Sequence, residues 1–204
     1  QPLELDGGEW TCSEDGVQQN MEGMPIIACP HPIMPVERLI NIDTGEEKLK
    51  IAFCKGRRWR YAVYGKDVLF VANKVTQLSS IGVAVTSENA KALVKYLCYI
   101  ENRNYDILPE RNSVGRLGYV GDDNVFSPYQ PDLTFDGESN YSEMYRAIRP
   151  QGSYDVWRET AVRCRQESRT AQILLAASFA SVLLGHIGAL PFFVHLWGVE
   201  SGTG

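Results

Sequence analysis

Cysteine and histidine are scarce in this chain and widely spread. The five cysteines occur singly, with no C-x-x-C pair, and the three histidines lie far apart. Zinc sites and disulfide frameworks need paired or regularly spaced ligands, so the pattern predicts no metal site and favours reduced, intracellular thiols. Cys29 and His31 are the one close pair, and loop packing explains them. The sequence contains no G-x-S-x-G elbow, H-E-x-x-H motif or defensible triad, and we assign no catalytic residue.

Charged residues are absent from Thr170 to Val199. About 20 apolar residues suffice to cross a membrane, so a transmembrane helix has to be considered. Glycines within 185–188 interrupt the run, however, and Pro191 ends it, which shortens the apolar helix to about 15–17 residues. We therefore predict a buried helix and no membrane partner. No basic and then apolar signal peptide opens the chain, and we predict a cytoplasmic protein.

Length and composition indicate ordinary globular material. The 204 residues are 44% hydrophobic and 22% charged, which suits one large domain or a domain with part of another. The formal net charge of -5 argues against a protein that coats nucleic acid over its whole surface, although it allows a local basic patch. Because the chain begins at Gln1 without Met, we expect a piece of a longer protein.

The periodic segments of the first half predict an α+β fold. Residues 1–22 are acidic and contain glycine, which predicts a lead-in segment. Over residues 36–71, apolar and polar residues alternate with a period of two between turns, which predicts an antiparallel sheet. A capped helix is predicted from Thr86 to about Asn102. We therefore predict an antiparallel-sheet N-terminal domain, an accessory α+β domain, over residues 23–150.

The second half is predicted to be mainly helical. A short β-rich patch surrounds a turn at 121–124, and residues 127–140 are predicted to form a long surface loop. Ser153 can cap a helix that runs to about Ser168. Over residues 151–204 we predict a helical linker, followed by the first strand and P-loop of a truncated α/β ATPase core.

The glycine-rich end of the sequence resembles part of a phosphate-binding loop. Phe192 to Trp197 is an aromatic and β-branched run that predicts a short buried strand. A P-loop, G-x-x-x-x-G-K-[ST], follows such a strand, and its backbone N–H groups point at an anion. Aligned on the second glycine, the pattern covers Val199, Glu200, Ser201, Gly202, Thr203 and Gly204. A flexible polar tail is the alternative, and the strand and turn together favour the truncated loop.

Cations and aromatic residues stand together at one predicted hairpin tip. The residues that we select as a nucleic-acid-binding patch are Lys55, Arg57, Arg58, Trp59 and Arg60. Such a patch can neutralise phosphates and stack bases, as proteins that bind single strands do. A solvated turn whose aromatic residues pack inward is the simpler interpretation, and the segment taken alone favours it.

The order of these segments resembles one protein family. The resemblance rests on CPHPIMPVERLINIDTGEEKLKIAF, LSSIGVAVTSENAKALVKYL, RLGY, a VW pair in the Ser-capped helix and FFVHLWGVESGTG. This order is similar to that of the domain of unknown function nine-two-seven, over roughly residues 24–204. Proteins with that domain look like helicase- or primase-associated ATPases of phages, plasmids and genomic islands, and similar ones resemble ring-forming helicases of the MCM type.

The resemblance implies that residues 153–204 begin an ATPase core, with Glu200 to Gly204 as the first half of its phosphate loop. Val199 departs from the usual first glycine, and the Lys and the Walker B acid are absent. We therefore expect ATP and Mg²⁺ to bind in the full-length protein, and no cofactor or activity in this fragment.

Two functions remain open. The first is that the chain is the N-terminal portion of an ATP-dependent DNA helicase or translocase that acts in replication of a phage or mobile genetic element. DNA, as single strands, and a homo-oligomeric ring are the partners that this function implies. The alternative is a non-catalytic module that binds nucleic acid or a protein partner.

Overall fold

The computed structural model describes residues 4–19, 23–120, 125–137 and 139–198, with the backbone alone described at 139 and 140. The chain folds as a mixed α/β protein with antiparallel sheets and divides into two compact units. The first comprises residues 1–116 and 131–139, and the second comprises 117–130 and 140–204. This division differs from the boundaries that composition suggested, because the chain leaves the first unit at residue 117 and returns to it at 131.

The first unit begins with a three-stranded antiparallel sheet in which β2 is central. Its strands are β1 (Trp10–Ser13), β2 (Gly16–Gln19) and β3 (Ile26–Cys29). Trp10 and Val17 are buried, and the Trp10 ring meets the ring of Tyr96 edge-on at a centroid distance of 5.4 Å. The segment predicted as a lead-in therefore contributes two strands to the core. Its acidic composition concealed them, because few apolar side chains hold this hairpin.

A five-stranded sheet forms the scaffold of the same unit. From one edge to the other its strands are β10 (Thr134–Phe135), β7 (Glu110–Val114), β4 (Ile33–Asn41), β5 (Glu47–Lys55) and β6 (Arg58–Gly65). β4, β5 and β6 are antiparallel, which confirms the prediction made from the alternation over residues 36–71. β7 and β10 add parallel pairs that the sequence did not predict.

Helices cover one face of this scaffold. They are α1 (Lys66–Leu69), α2 (Ala72–Val75), a 3₁₀ helix (Thr76–Ile81) and α3 (Ala90–Arg103). α3 buries Leu93, Leu97 and Ile100 at helical spacing in the hydrophobic core, which confirms the predicted helix. The helix begins at Ala90, four residues later than predicted, and the Asn89 side-chain oxygen accepts the backbone N–H of Thr86 at 2.7 Å in the turn before it.

The second unit contains a short antiparallel pair and helices. Its elements are β8 (Gly118–Val120), β9 (Val125–Ser127), α4 (Ser139–Ala147), α5 (Tyr154–Glu167) and α6 (Arg169–Leu183). α5 lies against α6, and the rings of Trp157 and Phe179 meet edge-on at 6.3 Å. Ser168 caps α6 by accepting the backbone N–H of Ala171. Within the described ranges, no helix has both the length and the apolar character needed to cross a membrane.

Two predictions for the apolar end of the chain are wrong. α6 was predicted to be buried, but it has no buried residue, and Ile173 is 61% exposed because the helix packs mainly on α5. Phe192 to Trp197 was predicted to be a buried strand, but residues 191–198 form no regular structure and Phe193 is 100% exposed. A strand requires a neighbouring backbone to complete its hydrogen bonds, and no described strand pairs with this segment.

Candidate nucleic-acid interface

The β5–β6 hairpin brings the selected cations to one tip. Gly56 and Arg57 form its two-residue turn, and both have a φ of 61°, the left-handed conformation that a type I′ turn requires. Lys55 pairs directly with Arg58 across the hairpin. The tight turn therefore places Lys55, Arg57 and Arg58 next to one another at the end of the sheet.

The two faces of β6 differ in burial. In the register of the hairpin, Arg60, Ala62 and Tyr64 lie opposite three buried residues of β5, and Ala62 and Tyr64 pack against the core. Trp59 and Tyr61 point to the other face, since successive side chains alternate, and they are 50% and 63% exposed. The aromatic residues therefore do not pack inward, and the solvated-turn interpretation fails on this point.

The four cations at and beside the hairpin tip have no carboxylate partner within the described part of the chain; they are Lys55, Arg57, Arg58 and Arg60. Most other cations of the same unit form ion pairs, namely Arg38, Lys48, Lys50, Lys66, Lys74, Arg103, Arg111 and Arg116. Lys55, Arg57 and Arg58 form none, and Arg60 reaches only the backbone carbonyl of Ile81, at 3.5 Å. Their positive potential is therefore available to a polyanion.

Charge on β6 also has a structural explanation. β6 is an edge strand of the five-stranded sheet, and charged side chains on an edge strand prevent it from pairing with other chains. This explanation accounts for Arg58 and Arg60. It does not account for Trp59 and Tyr61, because large exposed aromatic rings make an edge more prone to association. The protection of the sheet edge therefore explains the charges of β6 and leaves its aromatic face unexplained.

A cavity of about 760 Å³ opens beside the hairpin tip. Four segments of the first unit form its walls: the hairpin itself, the link between β3 and β4, the turn between β1 and β2, and Ala84 in the link before α3. The lining includes Trp59, Arg57, His31, Pro30, Pro32 and Glu14. The backbone N–H of Cys54 donates to the carbonyl of Pro32 at 2.9 Å, which joins the hairpin to the β3–β4 link.

His31 is a fixed, neutral part of the cavity wall. Its Nε2 accepts the backbone N–H of Ala84 at 2.9 Å, so the proton lies on Nδ1, which is 3.2 Å from the carbonyl oxygen of Pro32. Burial and, to a lesser extent, the positive charge of Lys55 hold the pKa of His31 below its ordinary value. The imidazole therefore has a structural role and offers no free nitrogen to a ligand.

With this geometry in hand, comparisons with known proteins identify the family. The family model described as "Domain of unknown function (DUF927)" matches residues 8–204. The chain belongs to the DUF927 family. A comparison with curated proteins finds no match. Because the match starts at residue 8, the β1–β2 hairpin lies inside the DUF927 domain, whereas the resemblance seen in the sequence began only near residue 24.

The structure brings together the residues of one of the two sites predicted for this DUF927 chain. Lys55, Arg57, Arg58, Trp59 and Arg60 lie together on the hairpin. The predicted phosphate loop lies outside the described residues: Val199, Glu200, Ser201, Gly202, Thr203 and Gly204. Among the residues that the structure does describe, no cluster of three His, Cys, Asp or Glu side chains could hold a metal ion.

Sequence reasoning missed the contribution of Glu14 and of the proline-rich link to the DUF927 cavity. Glu14 lies in the turn between β1 and β2, in a segment whose composition suggested a lead-in. The available signal was Gly16, since a glycine beside a turn often marks a close backbone approach. The three prolines at 30, 32 and 35 indicated a rigid link, but not what it would face.

We expect His31 to make the DUF927 fold less stable at acidic pH. The unfolded imidazole titrates near 6.5, and the folded one has a lowered pKa. Between these two pKa values the unfolded state binds more protons, so the contribution of His31 is complete above about pH 6.5 and decreases as the pH falls through the folded pKa. Urea unfolding between about pH 5 and 8 measures this fall.

His31→Gln should remove that part of the pH dependence, because a glutamine amide can accept the Ala84 N–H and does not titrate. His195→Gln is the matched control, since it changes an exposed histidine of the other unit. An equal decline of the free energy of unfolding in the wild type and in His31→Gln would contradict the lowered pKa of His31.

Proposed function

We propose that the β5–β6 hairpin of this DUF927 domain binds single-stranded DNA. The observation that supports this proposal is the exposed pair Trp59 and Tyr61 beside cations that have no carboxylate partner within the described residues. Cations attract the phosphate backbone, and exposed rings stack on bases of any sequence. Either feature alone is ordinary on a protein surface, but their combination on one hairpin tip is typical of single-strand binding.

The spacing of the two rings favours a single strand over a duplex. Alternate residues of a strand are about 6.6 Å apart, whereas successive bases in a stacked duplex are separated by about 3.4 Å. Trp59 and Tyr61 therefore fit two bases that have been drawn apart. A duplex keeps its bases stacked and exposes only their edges in the grooves, so it offers no face to these rings.

Trp59→Ala should weaken binding to a fluorescent oligo(dT), as measured by anisotropy. Loss of one stacked base costs roughly 1–3 kcal/mol, or about 5- to 150-fold in affinity. Trp59→Phe should recover part of this loss because it keeps an aromatic face. Trp157→Ala is the matched control, since Trp157 is 49% exposed but belongs to the other unit. Equal affinities of Trp59→Ala and Trp157→Ala would refute the proposal.

We also propose that Val199 to Gly204 form the first half of a phosphate-binding loop, whose second half would be a lysine followed by a serine or threonine. The glycine pattern after the apolar run 192–197 and the sequence resemblance to helicase-associated ATPases support this assignment. The complete protein would then have a P-loop ATPase core and act in the cytoplasm as a DNA helicase or translocase of a phage or mobile element. ATP and Mg²⁺ would be its cofactors, and a homo-oligomeric ring its active form.

Measuring ATP hydrolysis by the full-length protein, with and without single-stranded DNA, tests whether it is an ATP-driven helicase or translocase. Stimulation by single strands is the expected result, since hydrolysis would drive movement along the strand. If the full-length protein does not bind nucleotide, the helicase or translocase function is excluded, and the non-catalytic binding module is the remaining function.

A further inference from the structure

The cavity beside the β5–β6 hairpin has walls of opposite charge. Glu14, in the β1–β2 turn, lines it from one side, and Lys55 and Arg57 line it from the hairpin. Glu14 forms no ion pair with any described residue. The cavity therefore combines an unpaired carboxylate with unpaired cations, which suits a ligand that has an anionic part and a part rich in hydrogen-bond donors.

The backbone fixes the position of the Glu14 turn. Gly16 has a φ of 117°, and a Cβ added there would overlap the carbonyl oxygen of Cys29 and approach Pro30. The β1–β2 turn thus lies directly against the end of β3, where only glycine fits. The cavity is therefore built between two hairpin turns that are both tied to the Cys29–Pro32 segment.

The size and lining of the cavity suit one nucleotide unit. Its volume of about 760 Å³ lies in the range of small-molecule sites. Trp59, Pro30 and Pro32 supply apolar and aromatic surface for a flat ring. The nitrogens of His31 are both occupied by backbone groups, so the imidazole adds surface but no free polar atom.

Charge then determines how a nucleotide would enter. The Glu14 carboxylate repels phosphate, so the backbone would stay near the cations of the hairpin, and the base edge would face Glu14. An ionised carboxylate only accepts hydrogen bonds. It therefore favours a base that presents an N–H donor, such as the N4 amino group of cytosine, and disfavours a base with a carbonyl oxygen at that place.

We propose that this cavity holds one unstacked base that carries an exocyclic amino group, with Glu14 as the acceptor. The proposal rests on the single-strand binding proposed above and adds a base preference to it. Stacking on Trp59 and Tyr61 is indifferent to sequence. The preference therefore arises from Glu14 alone.

Binding of oligo(dC) and oligo(dU) of equal length, at neutral pH and fixed salt, tests this pocket. The two bases differ in the exocyclic group at position 4 and in the protonation of the neighbouring ring nitrogen. The wild type should prefer oligo(dC) by about fivefold, the lower end of the range for a bidentate base contact, because Glu14 is exposed and accepts from one amino group. Glu14→Gln should bring this ratio close to one, because a glutamine amide can both donate and accept.

Asp15→Asn is the matched control, since it makes the same charge change in the same turn at an exposed residue outside the cavity lining. It should keep the preference for oligo(dC). Equal wild-type affinity for the two oligonucleotides, or a preference that persists in Glu14→Gln, would overturn the proposal that the cavity holds an amino-bearing base through Glu14. If both oligonucleotides bind equally and Trp59→Ala weakens both, the hairpin binds single strands but the cavity does not select a base. If neither oligonucleotide binds, both the single-strand binding and the base selection are rejected.

Discussion

Removing the three arginines of the β5–β6 hairpin should weaken the salt dependence of single-strand binding. The slope of log K against log [salt] should become less steep by about 2, because each phosphate contact contributes about 0.7. Affinity at low salt should fall by about tenfold or more. The suitable variant is Arg57→Gly with Arg58→Ala and Arg60→Ala. Glycine is chosen at position 57 because the φ of 61° would strain alanine.

A control variant that loses the same charge from the other unit shows whether the attraction to DNA comes from the hairpin or from the charge of the whole chain. Arg158, Arg163 and Arg165 of α5 are all exposed, and their replacement by alanine makes the same change in net charge. This control should keep the wild-type salt slope. If both triple variants reduce the slope equally, the hairpin is not the site, and the attraction comes from the charge of the whole chain.

Asp136→Ala should lower the free energy of unfolding by about 3 kcal/mol, because it leaves buried polar groups without partners. The Asp136 side chain is 0% exposed and accepts from Asn41 Nδ2 at 3.1 Å and from Ser113 Oγ at 2.8 Å. Lys48 lies 3.6 Å from the same carboxylate. These contacts join the end of β10 to β7 and β4, so their loss weakens the edge of the sheet.

Urea unfolding measures this effect. Asp106→Ala is the control, because Asp106 is exposed and forms no ion pair with any residue that the structure describes. It should change the free energy of unfolding by about 0.5 kcal/mol or less. Similar losses for the two variants would show that the Asp136 network does not hold the sheet together.

Local periodicity predicted the parts of the fold that local patterns determine. The strands between residues 36 and 71 alternate with a period of two, and α3 carries apolar residues at helical spacing, so both could be predicted. β7 could not, since Glu110, Arg111, Asn112 and Ser113 show no apolar pattern and pair only through tertiary contacts. The β1–β2 hairpin was missed for a similar reason.

The candidate site was only partly predictable. The charges of the hairpin can be read from the sequence, but the face on which Trp59 lies cannot. Trp59 and Tyr61 are larger and more apolar than Arg60 and Ala62, so the sequence favoured them as the inward face. The register against β5 instead places Arg60 and Ala62 opposite the buried residues Phe53 and Ile51. A register shift of one residue would exchange the inward and outward faces of β6.

Photochemical crosslinking to an oligonucleotide that contains 4-thiothymidine tests the central claim most directly, because it reports which residues touch the bases. The chain would be irradiated with the oligonucleotide, digested, and the adducts located by mass spectrometry. We predict adducts in the peptide that contains Trp59 and Tyr61, and their loss when an excess of unlabelled single strand competes. Adducts confined to α5 and α6, with none on the β5–β6 hairpin, would contradict the account.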